Sequence, residues 1–389
     1  MRGDCGHAVS CVRFAVMNRF LTIIPMVALA AFAHWPALVY AEADHAVIEL
    51  PTELCRNYFF VPVELAPREG YSEDRILWFL HDTGASSSYV DPDSVERVAG
   101  IHPKPGTRVH LRDVNIGSVE YNRITARASE LDHLSNALGR QIDGILSFGA
   151  FKDFLLTLDY QDGTLRLEKG ELPKPNDVDV FSAKGKDYRP WMKVRFSERS
   201  RRMLIDSGAG LSSLIVRRLD KYRTVSEPSV ISVSAGLRLS DAEYRLAGRA
   251  AHPVIFGPHE LRSPMLGSTT DTEVIGGDIM QHFDWTFDQK NKRFRMIRND
   301  PDAPMEFAPE IGTGVMFNPT AGGLLVHEIR ENSPARQLDI EAGDLVTTIN
   351  GSALAERGCN ISDEEPLKVG FLRDGQFKEV ILEQYVLVP

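Results

Sequence analysis

The chain consists mostly of short runs of β-branched and aromatic residues that alternate with glycine, proline, asparagine and aspartate. Examples of such runs are residues 58–63, 76–80 and 294–297. Runs of this length, bounded by turn-forming residues, are typical of β-strands rather than helices. We therefore expect a mainly β protein.

Two proline-rich stretches, residues 171–177 and 299–309, interrupt the pattern of strands. Stretches of this composition are typical of linkers between domains. A chain of 389 residues also predicts two or three domains, at roughly 150 residues each. After residue 43 we expect two domains, a linker and a third domain, with the bounds 44–174, 175–299, 300–310 and 311–389.

Composition and charge narrow the class of protein. The chain is 43% hydrophobic and 25% charged, as globular proteins are. Its formal net charge of −10 argues against a nucleic-acid partner, because such proteins present net positive surface to the phosphates. The four cysteines are too few for a disulfide scaffold and lack the spacing of zinc ligands, so we predict no metal site and no cofactor.

The N-terminal residues have the pattern of an export signal. Arg19 precedes an apolar stretch over residues 20–33, and small residues ending at Ala41 fit a cleavage site. We predict a signal peptide over residues 1–43, with Met17 as an alternative start, and export to the periplasm or the cell exterior. The alternative is an uncleaved segment that anchors the protein in a membrane, although prolines interrupt the apolar stretch.

Cleavage of the signal would remove Cys5 and Cys11. Cys55 and Cys359 would remain, in different predicted domains. The sequence leaves a disulfide between them open and does not predict one.

The first two domains share a weak internal repeat. Each has a four-residue turn after an extended apolar run: Asp82-Thr83-Gly84-Ala85 and Asp206-Ser207-Gly208-Ala209. Farther along, each domain has two apolar residues followed by a small one, at residues 145–147 and 274–276. One such turn is common in proteins, but two with matching downstream blocks are a specific signal.

The paired turns resemble the active-site motifs of pepsin-like and retropepsin-like aspartic proteases, in particular fused, two-lobed forms with a trailing PDZ-type domain. The resemblance covers nearly all of residues 45–389. It implies two pepsin/retropepsin-like β-barrel lobes with the active site between them, followed by a small PDZ-like α+β domain. It also implies an aspartic-type endopeptidase for a peptide or protein substrate. Such an enzyme would be monomeric for catalysis, since both aspartates come from one chain.

The chemistry of peptide hydrolysis explains why two aspartates are needed. Without a metal or a covalent nucleophile, one group must deprotonate water while another protonates the carbonyl oxygen. Two carboxyl groups at short distance do both, because their mutual repulsion makes them share one proton. We predict that Asp82 and Asp206 form this catalytic pair, and we leave the acid and base roles undivided.

The neighbouring residues are predicted to support the aspartates. Gly84 and Gly208 let backbone N–H groups approach the carboxylates. The resemblance implies that the hydroxyls of Thr83 and Ser207 brace the turn of one lobe against the other.

Ala85 and Ala209 complete the two turns and carry no hydroxyl. A hydroxyl at either position would donate to the carboxylate and lower its pKa. We therefore expect activity at weakly acid to near-neutral pH rather than at strongly acid pH.

Three features depart from the family pattern. His81 occupies a position that is usually apolar, where a partly buried imidazole would perturb the pair, and Ser147 replaces a glycine. The third feature is the flap that should cover the substrate: residues 100–109 are short for a hairpin, whereas residues 222–246 offer more material. Two alternatives therefore stay open, a non-catalytic peptide-binding scaffold and a protease specialised to self-processing.

The C-terminal segment resembles a PDZ domain of the bacterial type, through the apolar run 323–329 and the helix start at 333–335. The resemblance implies that an extended peptide, such as a protein C-terminus, binds by strand addition. The candidate carboxylate-binding loop contributes Gly314, Val315, Met316 and Phe317. Since Gly351 and Leu367 leave little room between them for a groove helix, peptide binding and a purely structural role are equally open.

Overall fold

The computed structural model describes residues 47–67, 74–197, 199–233, 244–302, 305–358 and 366–389. The predicted signal peptide and Cys359 lie outside these ranges. Within them the protein is mainly β, as the sequence pattern predicts. No helix in these ranges is long and apolar enough to cross a membrane.

The first segment contains strands β1 to β10 and helices α1 and α2. Their bounds are β1 (Ile48–Leu50), β2 (Glu53–Cys55), β3 (Tyr58–Leu65), β4 (Ile76–Asp82), β5 (Ser88–Val90), α1 (Pro92–Ala99), β6 (Arg108–Ile116), β7 (Val119–Ala128), α2 (Asp132–Leu138), β8 (Gly144–Ser147), β9 (Leu155–Asp159) and β10 (Thr164–Glu168).

Six of these strands close into a barrel in the order β3-β4-β8-β5-β7-β6, because β6 also pairs with β3. Buried apolar side chains of the strands fill the interior, among them Phe59, Phe79 and Leu111. β4 and β8 run parallel, with Asp82 beside Ser147. The end of β4 therefore carries the first aspartate turn beside its downstream block.

The second segment contains strands β11 to β22 and helix α3. Their bounds are β11 (Val180–Ser182), β12 (Trp191–Arg195), β13 (Ser200–Ile205), β14 (Leu214–Val216), β15 (Ser229–Val233), β16 (Tyr244–Arg249), β17 (Val254–Phe256), β18 (His259–Leu261), β19 (Met265–Ser268), β20 (Val274–Ile275), α3 (Gly277–Met280), β21 (Phe283–Asp288) and β22 (Arg293–Arg298).

The second segment repeats the arrangement of the first around its aspartate. Nine strands form a sheet in the order β15-β16-β19-β14-β20-β13-β12-β17-β18. β13 pairs in parallel with β20, so that Ile205 lies beside Ile275. Asp206 therefore follows the end of β13 as Asp82 ends β4, and each aspartate turn adjoins its downstream block.

A third sheet joins the first two segments. Its order is β1-β10-β9-β21-β22-β11, with β9 of the first segment paired to β21 of the second. The hydroxyls of Thr157 and Thr286 meet across this junction at 2.9 Å. Trp285 and Phe294 are buried in an apolar core that extends through both segments. The two segments therefore share one hydrophobic core.

The third segment contains strands β23 to β30. Their bounds are β23 (Glu310–Gly312), β24 (Val315–Thr320), β25 (Gly323–Ile329), β26 (Leu345–Ile349), β27 (Ser352–Ala353), β28 (Leu367–Arg373), β29 (Gln376–Leu382) and β30 (Tyr385–Val388). The main sheet has the order β24-β25-β26-β28-β29 and covers an apolar core of its own.

The third segment packs against both of the others. β24, an edge strand of its sheet, contacts α2 of the first segment and β15 of the second. The Asn136 side chain donates to the Thr320 carbonyl at 2.9 Å, and the Arg357 guanidinium donates to the Asn136 carbonyl at 2.8 Å. The described residues between Gly351 and Leu367 contain a short 3-10 turn, Leu354–Glu356, and no groove helix.

Cys55, at the end of β2, is disulfide-bonded. The other three cysteines all lie outside the described residues. The structure thus shows that a cysteine of the first segment is oxidised, a point that the sequence leaves open.

Candidate active site

The two aspartates meet at the centre of the first two segments. The Asp82 and Asp206 carboxyl groups are in hydrogen-bond contact. The backbone N–H groups of Gly84 and Ala85 donate to Asp82 Oδ1 at 2.7 and 2.9 Å, and that of Gly208 donates to Asp206 Oδ1 at 3.0 Å. Each turn therefore solvates its own carboxyl group with backbone donors.

Each glycine of the two turns lies against the aspartate of the other turn. A Cβ atom at Gly84 would overlap the Asp206 carboxyl group, and one at Gly208 would overlap that of Asp82. Glycine is therefore required here for close approach, because any side chain would push the two carboxyl groups apart.

Burial raises the pKa of both aspartates above the ordinary value. For Asp206 the charge on Asp82 adds to the effect of burial, so that its pKa rises well above the ordinary range. Backbone N–H groups and the Arg189 guanidinium oppose the rise but do not cancel it. The pair therefore retains a proton at a pH where free aspartates have lost theirs.

Thr83 and Ser207 are fully buried and connect the two turns reciprocally. Thr83 Oγ1 donates to the Ile205 carbonyl at 2.8 Å and accepts from the Ser207 N–H at 2.9 Å. Ser207 Oγ donates to the His81 carbonyl at 2.9 Å and accepts from the Thr83 N–H at 3.0 Å. These four hydrogen bonds form the bracing contact between segments that the resemblance implies.

A second pair of contacts crosses between the segments four residues beyond each aspartate. The Asn57 side chain donates to the Gly210 carbonyl at 3.3 Å, and the Tyr188 hydroxyl donates to the Ser86 carbonyl at 2.6 Å. The Tyr188 ring also stacks on Phe148, with centroids 6.5 Å apart. Sequence reasoning missed these residues, because neither Asn57 nor Tyr188 belongs to a motif.

Arg189 reaches from the second segment to the first aspartate turn, where its guanidinium donates to the Gly84 carbonyl. Asp187 holds that guanidinium through two bonds of 2.6 and 3.0 Å and also accepts from Trp191 Nε1 at 3.1 Å. Sequence reasoning missed Arg189 as well. A cation is thereby fixed beside the aspartate pair.

The structure resolves two of the departures from the family pattern. His81 is fully rather than partly buried and packs on Phe151, with ring centroids 5.4 Å apart. Burial lowers the pKa of His81 to about 3, so the imidazole is uncharged above pH 4 and does not act on the aspartates as a cation. Ser147 is buried, with its N–H and its hydroxyl each 3.1 Å from Ser88 Oγ, and the serine is thereby accommodated.

The third departure concerns the cover over the cleft. Residues 100–107 form a turn without a strand, so this part of the first segment supplies no hairpin. β15 and β16 do pair as a hairpin, and residues 234–243 between them lie outside the described residues. The Tyr244 hydroxyl at the start of β16 donates to Glu328 of the third segment at 2.7 Å.

The four residues of the candidate carboxylate loop are engaged in packing within the third segment. Gly314 has a left-handed φ of 77° and accepts from the Arg330 N–H at 2.9 Å. Val315 and Met316 are buried, and Phe317 is partly buried. Strand addition at β24 would have to displace its contacts with α2 and β15.

Comparison with known proteins gives likenesses to solved structures only, and they are distant. No protein family and no curated protein matches the chain. A solved retropepsin-like aspartic protease from Rickettsia conorii is similar at 15% sequence identity, with a TM-score of 0.23. The likeness covers 32% of this chain and 90% of that chain.

In the part of the chain that the structure describes, no group of three or more His, Cys, Asp or Glu side chains is arranged to hold a metal ion.

Proposed function

We propose that this protein is an aspartic endopeptidase that uses Asp82 and Asp206 to hydrolyse peptide bonds. The observation that carries the proposal is a half-buried pair of aspartates in hydrogen-bond contact at the junction of two similar turns. Each carboxyl group accepts N–H bonds from its own turn and lies against the glycine of the other. A purely structural pair of carboxyl groups would not need this close approach, which raises the free energy of both charged forms.

The mechanism follows from one proton shared by two carboxyl groups. The ionised carboxylate removes a proton from a water molecule, whose oxygen bonds to the scissile carbonyl carbon, while the protonated carboxyl group donates to the carbonyl oxygen. The C–N bond of the resulting diol then breaks: one carboxyl group delivers its proton to the leaving nitrogen, while the other, ionised carboxylate takes a proton from a diol hydroxyl, whose oxygen becomes the carbonyl of the new carboxyl terminus. The net reaction adds one water molecule and restores the proton on the pair.

The first experiment is cleavage of a diverse peptide pool by the protein without residues 1–43, from pH 3 to 8. We expect turnover at weakly acid to near-neutral pH, and its loss both in Asp82→Asn and Asp206→Asn and with a pepstatin-type inhibitor. Circular dichroism would verify that the variants are folded. No turnover at any pH from a folded protein would contradict the proposal.

Two other outcomes correspond to the alternatives that the sequence leaves open. Peptide binding without turnover would indicate a non-catalytic scaffold. Cleavage of the protein's own chain and of no added peptide would indicate self-processing. Intact-mass spectrometry after incubation distinguishes these two outcomes.

We also propose that the protein acts after export and that its third segment is mainly structural. The structural role of the third segment is supported by the contacts of β24 with α2 and β15 and by the hydrogen bonds of Asn136 and Arg357. A fluorescent pool of peptides with free C-termini, titrated against Asp82→Asn, tests it. We expect Phe317→Ala to leave any binding of these peptides unchanged. Peptide binding that Phe317→Ala weakens would instead favour a peptide-binding PDZ module.

A further inference from the structure

The outer face of the β6–β7 hairpin carries an unusual arrangement of arginines. Arg108 lies directly opposite Arg127, and Arg112 directly opposite Arg123. All four side chains are exposed, and within the described residues none of them forms an ion pair with a carboxylate. Like charges at directly opposite positions destabilise a strand pair. The arrangement therefore opposes folding unless the arginines meet an anion.

A groove of about 770 Å³ is lined by residues of this hairpin and by residues that follow the first aspartate turn. Three serines that follow the turn line it on one side, namely Ser86, Ser87 and Ser88. Four cations line it elsewhere, namely Arg108, Arg123, Arg127 and Lys152, against the single carboxylate of Asp153. The lining thus has a formal charge of about +3, in a protein whose formal net charge is −10.

Tyr121 adds a hydrogen-bond donor to the same groove. Its hydroxyl is buried and has no hydrogen-bond partner in the described structure. Burial, together with the nearby Asp153 carboxylate, raises the pKa of this hydroxyl, so that it keeps its proton at neutral pH. An anion in the groove would therefore find a neutral donor besides the cations.

The groove begins close to the aspartates. Ser86 is four residues beyond Asp82, and an extended chain advances at most about 3.5 Å per residue, so their Cα atoms are within about 14 Å. Ser88 pairs with Ala126, the neighbour of Arg127. A substrate that extends from the aspartates on this side would therefore reach the arginines within about six residues of the scissile bond.

We propose that this groove binds acidic side chains of the substrate and selects peptides with Asp or Glu about four to six residues from the cleaved bond. The inference rests on the proposed peptidase function and adds the substrate class to it. Because the protein as a whole is acidic, such a peptide is repelled elsewhere and attracted here. The groove therefore also fixes the direction in which the substrate lies in the cleft.

The test compares matched peptides that share one cleavable sequence. One peptide carries two Glu four to six residues from the scissile bond, and the other carries Gln at the same places. We expect about a tenfold higher kcat/KM for the Glu peptide at low salt, and a smaller ratio at 0.5 M NaCl, because salt screens exposed charges. Placing the Glu pair on each side of the scissile bond in turn identifies the side that the groove serves.

Variants of the hairpin distinguish binding of the peptide in the groove from a general effect of surface charge on the peptide. Arg108→Gln with Arg127→Gln should bring the ratio close to one, whereas Arg112→Gln, on the same face but outside the groove lining, should leave it nearly unchanged. An unchanged ratio in the double variant, or equal losses in all variants, would overturn the inference.

A binding measurement distinguishes failure of the groove from failure of the proposed function. The labelled Glu peptide is titrated against Asp82→Asn, with and without the Arg108 and Arg127 substitutions. Arginine-dependent binding without hydrolysis of any peptide by the native protein would keep the groove and reject the peptidase. Hydrolysis without a preference for the Glu peptide would keep the peptidase and reject the groove.

Discussion

The hydroxyl of Thr83 should contribute measurably to the stability of the protein as well as to the site. Thr83→Val removes the hydroxyl and keeps the shape of the side chain. The Ile205 carbonyl then loses its donor at 2.8 Å, and the Ser207 N–H loses its acceptor at 2.9 Å. Thr83 and Ser207 are fully buried, so water does not replace the lost partner.

The magnitude follows from these two lost bonds. An unsatisfied buried donor or acceptor costs about 1–3 kcal/mol, so we expect the two lost partners in Thr83→Val to lower the free energy of unfolding by about 2–6 kcal/mol. Thr83→Ser keeps the hydroxyl and removes one methyl group, and should cost about 1 kcal/mol. Ser207→Ala breaks the two reciprocal bonds and should resemble Thr83→Val.

Urea unfolding at pH 7, followed by the fluorescence of the buried Trp191 and Trp285, measures these differences. The expected order of stability is native protein, then Thr83→Ser, then Thr83→Val. A Thr83→Val variant that loses less than about 1 kcal/mol, or no more than Thr83→Ser, would refute the reasoning. In that case the hydrogen bonds between the turns would not hold the two segments together.

Three further substitutions test the electrostatics and the packing of the pair. Gly84→Ala places a Cβ atom against the Asp206 carboxyl group and should lower kcat/KM by at least about 100-fold, whereas Gly149→Ala, whose Cβ has only ordinary contacts, should retain activity. Asp206→Asn should stabilise the protein by an amount that grows as pH rises above about 4. The pKa of Asp206 is raised in the folded protein, so the folded pair keeps a proton that the unfolded chain releases, and the native protein loses stability as the pH rises. Urea midpoints at several pH values measure this, and a gap that stays constant with pH would contradict it. Arg189→Met should move both limbs of the pH–activity profile upward, because the guanidinium lowers the pKa of both aspartates, and Arg189→Lys should move them less. A profile that stays in place while the activity falls would show that Arg189 acts only through the Gly84 carbonyl.

The sequence predicts the features that depend on short, local patterns of residues. Strand content follows from alternating apolar runs, and the two turns follow from Asp82, Asp206 and their glycines. Whether these turns meet depends on contacts between distant parts of the chain. The only sequence signal for this meeting is the internal repeat of the first two domains. The full burial of His81 was not predicted, since a single polar residue at the end of an apolar strand does not reveal how deeply the barrel closes over it.

The contacts of Asn57, Tyr188 and Arg189 could not be predicted for a different reason. They lie on loops that precede β3 and β12, and loop residues follow no periodicity. Their positions become understandable only through the repeat: each loop reaches the carbonyl four residues beyond the aspartate of the other segment. Polar residues just before β3 and β12, the strands that precede each aspartate strand, are the sequence signal that could have found them.

The two halves of the site are similar but not equivalent, and the difference bears on where the shared proton resides. Asp82 Oδ1 accepts two backbone N–H bonds, from Gly84 and Ala85, whereas Asp206 Oδ1 accepts one, from Gly208. N–H donors stabilise the ionised form of a carboxyl group, so the turn with more donors favours the charge. Arg189 adds its cation at the Asp82 turn through the Gly84 carbonyl. These contacts therefore favour the negative charge on Asp82 and the proton on Asp206 while no substrate is bound, although both groups titrate as one coupled pair.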